Sequence, residues 1–132
     1  MSQPLSDFPS HGLVASHVSV TDRAGHVIVD DVSVHAYPGR TLVIVGESGA
    51  GKSMLARTLC ALTPSALSAS GTVSLGGEDY DLATNQGRLK KQRGGGIVWL
   101  PQDPFTSLAP TIRCAKQVTA ARTGRRSERA QR

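Results

Sequence analysis

Thr41-Leu42-Val43-Ile44-Val45-Gly46-Glu47-Ser48-Gly49-Ala50-Gly51-Lys52-Ser53 decides the fold, because a strand-like run passes straight into a glycine-rich loop and then into a helix. Thr41 to Val45 is a continuous β-branched and leucine run, which predicts a strand buried on both faces, as in a parallel sheet flanked by helices. Gly46, Gly51, Lys52 and Ser53 meet the pattern G-x-x-x-x-G-K-[ST]. Met54, Leu55, Leu59 and Leu62 then recur at helical spacing from Lys52 onward, and Thr63-Pro64 is expected to stop the helix.

Each position of the loop has a physical task. Gly46 and Gly51 permit backbone torsions and a close approach that a β-carbon would forbid. The amides of Glu47, Ser48, Gly49 and Ala50, with the positive end of the following helix dipole, form a nest for anionic oxygens. The Lys52 ammonium adds a full charge, and the Ser53 hydroxyl is placed to ligate Mg²⁺. These residues point to a nucleoside triphosphate bound with magnesium. A ligand-free surface turn is the competing reading, and the order strand, loop, helix argues against it. Such a site also needs an acid for the metal shell. Val27-Ile28-Val29-Asp30-Asp31 has that texture but is one apolar residue short and precedes the loop, so it is read as structural.

Working outward, Val14, Ser16, Val18 and Val20 alternate as in a half-buried strand, and Asp22-Arg23-Ala24-Gly25 supplies a turn. The return strand runs from Val27 to Val34 and ends at the turn Tyr37-Pro38-Gly39-Arg40. Beyond the loop helix, Gly71 to Leu75 followed by Gly76-Gly77 predicts a short strand and turn. Asn85 to Arg93 predicts a short basic helix closed by Gly94-Gly95-Gly96. Ile97 to Leu100 is a second buried strand that meets a proline-enforced loop at Pro101-Gln102-Asp103-Pro104, and a helix is expected from Ile112. The fold class is therefore α/β, antiparallel in its N-terminal β portion and parallel at its core. Residues 1–12 are expected to be a flexible N-terminus, 13–112 the body of the domain, and 113–132 a basic segment opening a helical region.

Composition excludes several function classes. The chain has 132 residues and a net charge of +5, yet residues 1–112 carry a net of −1 and residues 113–132 a net of +6. That basic segment has no aromatic residue for base stacking, so a solvated tail is expected and nucleic acid is not a partner. The longest apolar runs are four residues, against roughly 18 for a membrane span. Met1 to Ser10 has no basic and apolar signal regions, which predicts a cytoplasmic chain. Cys60 and Cys114 lie outside any C-x-x-C pattern and are expected to be reduced thiols. His11, His17, His26 and His35 fall at no metal-ligand spacing.

Asp30-Asp31-Val32-Ser33-Val34, the loop Val45 to Ser53, and Gln102-Asp103-Pro104-Phe105-Thr106-Ser107-Leu108-Ala109-Pro110 together resemble the ATP-binding subunits of ABC transporters. Within them the sequence looks most like the peptide and nickel (dipeptide and oligopeptide) importer group, with Ala109 where the group carries Asn. The resemblance spans roughly residues 13–118. It implies a P-loop NTPase fold, ATP and Mg²⁺ as ligands, and Gln102 as the Q-loop glutamine, whose amide reaches the metal and the attacking water. It also implies membrane-spanning permease subunits and a second ATP-binding subunit as partners. The location implied is the inner face of the cell membrane, held peripherally, and the cargo a peptide or a nickel or other metal chelate.

The sequence departs from that pattern twice. The family stacks adenine on an aromatic residue at a place that falls here on Thr21 or Asp22, which leaves the choice between ATP and GTP open. The family continues past the Q-loop into a Leu-Ser-Gly-Gly-Gln signature, a Walker B Asp with a catalytic Glu, and a switch His. None of these is in this sequence, so the expectation is an N-terminal fragment, inactive alone as an ATPase. A non-catalytic nucleotide-binding module is the alternative from another class. A small GTPase or nucleotide kinase fits less well, because no Asn/Thr-Lys-x-Asp guanine-reading motif occurs.

Overall fold

The computed structural model describes residues 12–103 and 109–117. Its centre is a four-stranded sheet in the order β2-β1-β3-β4, antiparallel throughout. β1 spans Leu13–Asp22 and β2 Val27–Ala36. The turn between them is closed by Asp22, whose carboxylate accepts the backbone N–H groups of Ala24 (2.8 Å) and His26 (2.9 Å). Gly25 takes a φ of 87° there, as the turn requires. The expected hairpin is thus present, two residues longer at its return strand.

The alternation along β1 is not the simple one that its sequence predicts. Ala15, Val18 and Val20 are the buried residues, whereas Val14 and Ser16 are only half-buried. The phase changes at His17, which is bulged with φ at 52° and shifts the register against both neighbouring strands. Asp31 on β2 (φ 44°) and Gly71 on β3 (φ 101°) share the left-handed conformation. A β-carbon at Gly71 would collide with the His17 carbonyl oxygen. The donors freed by the bulge are satisfied locally: Ser33 Oγ accepts from the His17 N–H and Ser19 Oγ from the Asp31 N–H, each at 3.0 Å.

Helix α1, Lys52–Leu59, packs on β1 and β2 and buries Leu55, Thr58 and Leu59. It ends before Thr63-Pro64. Ala61 adopts φ 53°, the Leu62 N–H reaches the Arg57 carbonyl at 2.8 Å, and the Ala61 N–H reaches Thr58 at 3.0 Å, the two bonds of a Schellman cap. β3, Leu67–Leu75, is longer than predicted because four residues before Gly71 pair with the turn end of β1. A turn at Gly76-Gly77, with φ of 63° and 86°, leads into β4, Glu78–Asp81. This segment carries no strand signal, since three of its four residues are acidic and only Tyr80 turns inward.

Helix α2, Gln86–Lys91, inserts Leu89 beneath β4, where it joins Tyr80 and Leu82 as the far end of the core. Tyr80 is tied in place by donating to Glu78 Oε2 and accepting from Gln92 Nε2, both at 2.8 Å.

The two segments expected to form a buried parallel core do not form strands among the described residues. Residues 41–47 and 98–101 carry no regular secondary structure, and Val43 (71% exposed), Val45 (85%), Val98 (68%) and Leu100 (87%) face outward. A parallel strand is stable only when neighbours on both sides take its backbone hydrogen bonds and helices cover its faces. No described segment supplies those neighbours; the sole link is one isolated parallel bridge, Arg93 to Ile97. The helix expected from Ile112 is a single turn at 114–117, with Ile112 exposed.

Candidate phosphate-binding site

The eight loop residues Gly46, Glu47, Ser48, Gly49, Ala50, Gly51, Lys52 and Ser53 fold as one turn leading into α1. The Ala50 N–H bonds the Glu47 carbonyl at 3.2 Å, and Gly49 sits at φ 81°. Gly51, at φ 80°, is the residue preceding the helix, and its carbonyl accepts the Leu55 N–H at 2.8 Å. Only glycine fits there on two counts. The torsion is left-handed, and a β-carbon would collide with the carbonyl oxygen of Ile28 and press on Val29. Gly51 is thus the point at which the loop rests on β2.

The helix start has no internal anion. No side chain caps α1, and no acidic residue lies in its first turn. Its first N–H groups and the positive end of its dipole are left to an external acceptor. The Lys52 ammonium stands over the loop and donates to the carbonyl oxygens of Gly46 (2.7 Å) and Glu47. Ser53 is exposed in the first turn, free to present its hydroxyl to a ligand. Left-handed glycines, uncapped amides and one ammonium are the donor set that an oligophosphate needs, and Ser53 adds one hard oxygen suited to Mg²⁺.

A cleft of about 390 Å³ opens beside the loop. Ile28 of β2, Ile44 and Val45 give it aliphatic walls, Gly51 and Lys52 form its rim, and Asp30 is its acid. The sequence reading assigned Asp30 to a strand, and it does lie on β2; what spacing along the chain could not show is that β2 passes directly under Gly51. The only signal was the acid itself, in a stretch resembling a metal-binding strand.

Gln102 is not brought into this arrangement. It is exposed, in a bend, and is not among the residues lining the cleft. Much of the Q-loop stretch, residues 104–108, falls outside the described residues, as do residues 1–11 of the expected N-terminus 1–12 and most of the basic segment, 118–132. Thr21 and Asp22 end β1 in the hairpin turn, where Asp22 is engaged with His26. Its carboxyl lies below the usual carboxylate range, chiefly because the His26 side chain bonds it at 2.9 Å. Cys60 is buried and Cys114 exposed, both free thiols, and burial raises the pKa of the first. Among the described residues no helix is long and apolar enough to cross a membrane.

Known proteins share much of this sequence. The family model for "ABC transporter" matches residues 29–132. The metal-staphylopine import system ATP-binding protein CntD of Staphylococcus aureus is 31% identical over 107 residues, covering 80% of this chain and 39% of that protein. The dipeptide transport ATP-binding protein DppD of Lactococcus lactis is 39% identical over 104 residues, covering 77% and 30%. The peptidoglycan transport ATP-binding protein YejF of Agrobacterium fabrum is 37% identical over 97 residues, covering 72% and 18%. The chain therefore spans well under half the length of these relatives. With the loop from Gly46 to Ser53 inside the matched region, the chain belongs to the ABC transporter family.

Proposed function

We propose that this chain supplies the phosphate-binding portion of an ATP-binding subunit of an importer, taking ATP with Mg²⁺ at Gly46 to Ser53. The observation that carries this is the junction of loop and helix: left-handed Gly49 and Gly51, an α1 N-terminus with neither cap nor acid, and the Lys52 ammonium above it. In that role the loop amides and Lys52 hold the β- and γ-phosphates, and Ser53 supplies a ligand to the metal. Gln102 would approach the metal and the attacking water from its bend, as the family resemblance suggests. When bound, Mg²⁺ would neutralise phosphate charge; this chain's residues position the nucleotide.

The names of the relatives support peptides or metal chelates as cargo; permease subunits in the membrane and a second ATP-binding subunit are the partners that the family resemblance implies. The chain would then lie on the cytoplasmic face of the membrane. The apolar segments Thr41 to Val45 and Ile97 to Leu100 are suited to a parallel core sheet completed by additional strands. Equilibrium binding of a fluorescent ATP analogue with Mg²⁺, compared between the chain and Lys52→Ala, tests the central step. Affinity that does not depend on Lys52 would sink it. Lys52-dependent binding without turnover is the result expected of this portion alone, and Lys52-dependent hydrolysis would count against the non-catalytic module.

A further inference from the structure

We infer that Asp30 is a specificity-determining residue of the phosphate site, one that favours a magnesium-complexed oligophosphate over the metal-free anion. The inference rests on the phosphate-binding reading of the loop and goes beyond it. β2 runs beneath the loop so closely that no β-carbon fits at Gly51, and the same strand places Asp30 in the cleft that Gly51 and Lys52 rim. Its carboxylate makes no hydrogen bond or ion pair among the described residues. The neighbouring Asp31 is different, since its carboxylate is held at 2.7 Å by His17 Nδ1.

The cleft therefore presents one cation and one uncompensated anion between aliphatic walls. Asp30 is exposed on β2, so its charge acts on a ligand in the cleft through solvent and is felt most at low ionic strength. A metal-free triphosphate carries the highest negative charge and meets the greatest repulsion. Binding Mg²⁺ removes two units of that charge, and the cation is itself attracted by the carboxylate. Lys52 alone would favour the metal-free anion; Asp30 turns the balance toward the complex.

The experiment uses the whole 132-residue chain and inorganic tripolyphosphate, titrated by calorimetry with excess Mg²⁺ and again with EDTA, on the wild type, Asp30→Asn and Asp31→Asn. Asp30→Asn is expected to tighten binding of the metal-free anion by about three- to tenfold, at low ionic strength, and to change binding of the magnesium complex by less than about twofold. Asp31→Asn should leave both within about twofold. Equal changes for the two ligands, no change, or the same effect from Asp31→Asn would overturn the role of Asp30. No tripolyphosphate binding by the wild type in either condition would overturn the phosphate reading itself, and the inference with it.

Discussion

The Lys52 ammonium donates to the Gly46 carbonyl oxygen at 2.7 Å, bridging the last and first parts of the loop. The charge that a phosphate would meet is thus already held over the nest by the loop's own backbone. Removing it should separate binding from folding. Lys52→Ala is expected to weaken MgATP binding by at least tenfold, since hydrogen bonds to charged groups contribute about 1.5–3 kcal/mol. The exposed ammonium contributes little to the core, so the urea midpoint should stay nearly constant. A parallel loss of stability would mean that the bridge to Gly46 holds the loop together.

Two loop glycines with almost the same torsion should respond differently. Gly49→Ala meets open space and bears only the left-handed strain, about 1 kcal/mol. Gly51→Ala bears that strain and drives a methyl into the Ile28 carbonyl, so a loss of about 3 kcal/mol or more is expected. Denaturant unfolding of the two variants measures the difference; equal losses would show that β2 yields beneath the loop.

The β1–β2 turn predicts an acid-sensitive contribution to stability. The folded-state pKa of Asp22 is lowered from 3.8, first by the His26 side chain and then by backbone donors of the turn. A depressed carboxylate stabilises the fold above its unfolded pKa and loses that contribution as pH falls through the folded value. The melting temperature of Asp22→Asn should therefore lie below that of the wild type above about pH 4 and converge on it in stronger acid. A constant gap down to pH 2 would count against the assignment.

Exposed Val43 and Val45 sit in a β-branched run without a charge, the composition that pairs edge to edge between molecules. The isolated chain should self-associate with rising concentration, and Val43→Lys should reduce the scattering signal markedly. A monodisperse wild type with one sharp melting transition is the contrary result.

The sequence made the loop, its helix and the first hairpin legible because each has a strong local cause: left-handed glycines, helical spacing from Lys52, and the Asp22 turn. It missed β4, whose acidic residues carry no strand signal and whose place depends on Tyr80 and Leu82 reaching a core built by distant segments. It misread the facing of β1 because the bulge at His17 is enforced by Asp31 and Gly71 on the flanking strands. The apolar runs at Thr41 to Val45 and Ile97 to Leu100 predict buried parallel strands, yet Val43, Val45, Val98 and Leu100 are exposed, because a strand is a property of its neighbours as well as its residues. Asp30 was seen and set aside, since its position beneath the loop depends on tertiary packing over a span that no local pattern encodes.

The line of left-handed residues through His17, Asp31 and Gly71 crosses three adjacent strands and acts as a crease. The pairing of β1 with both neighbours changes register across it, giving two blocks of the sheet. The phosphate loop stands on one of them, through Gly51 on Ile28, while Leu13 to Ala15 belong to the other. Because side chains alternate along a strand, adding or removing one residue of β2 at Asp31 would reverse how the Ile28 end of that strand faces relative to its Val34 end, and so would turn the floor of the site over.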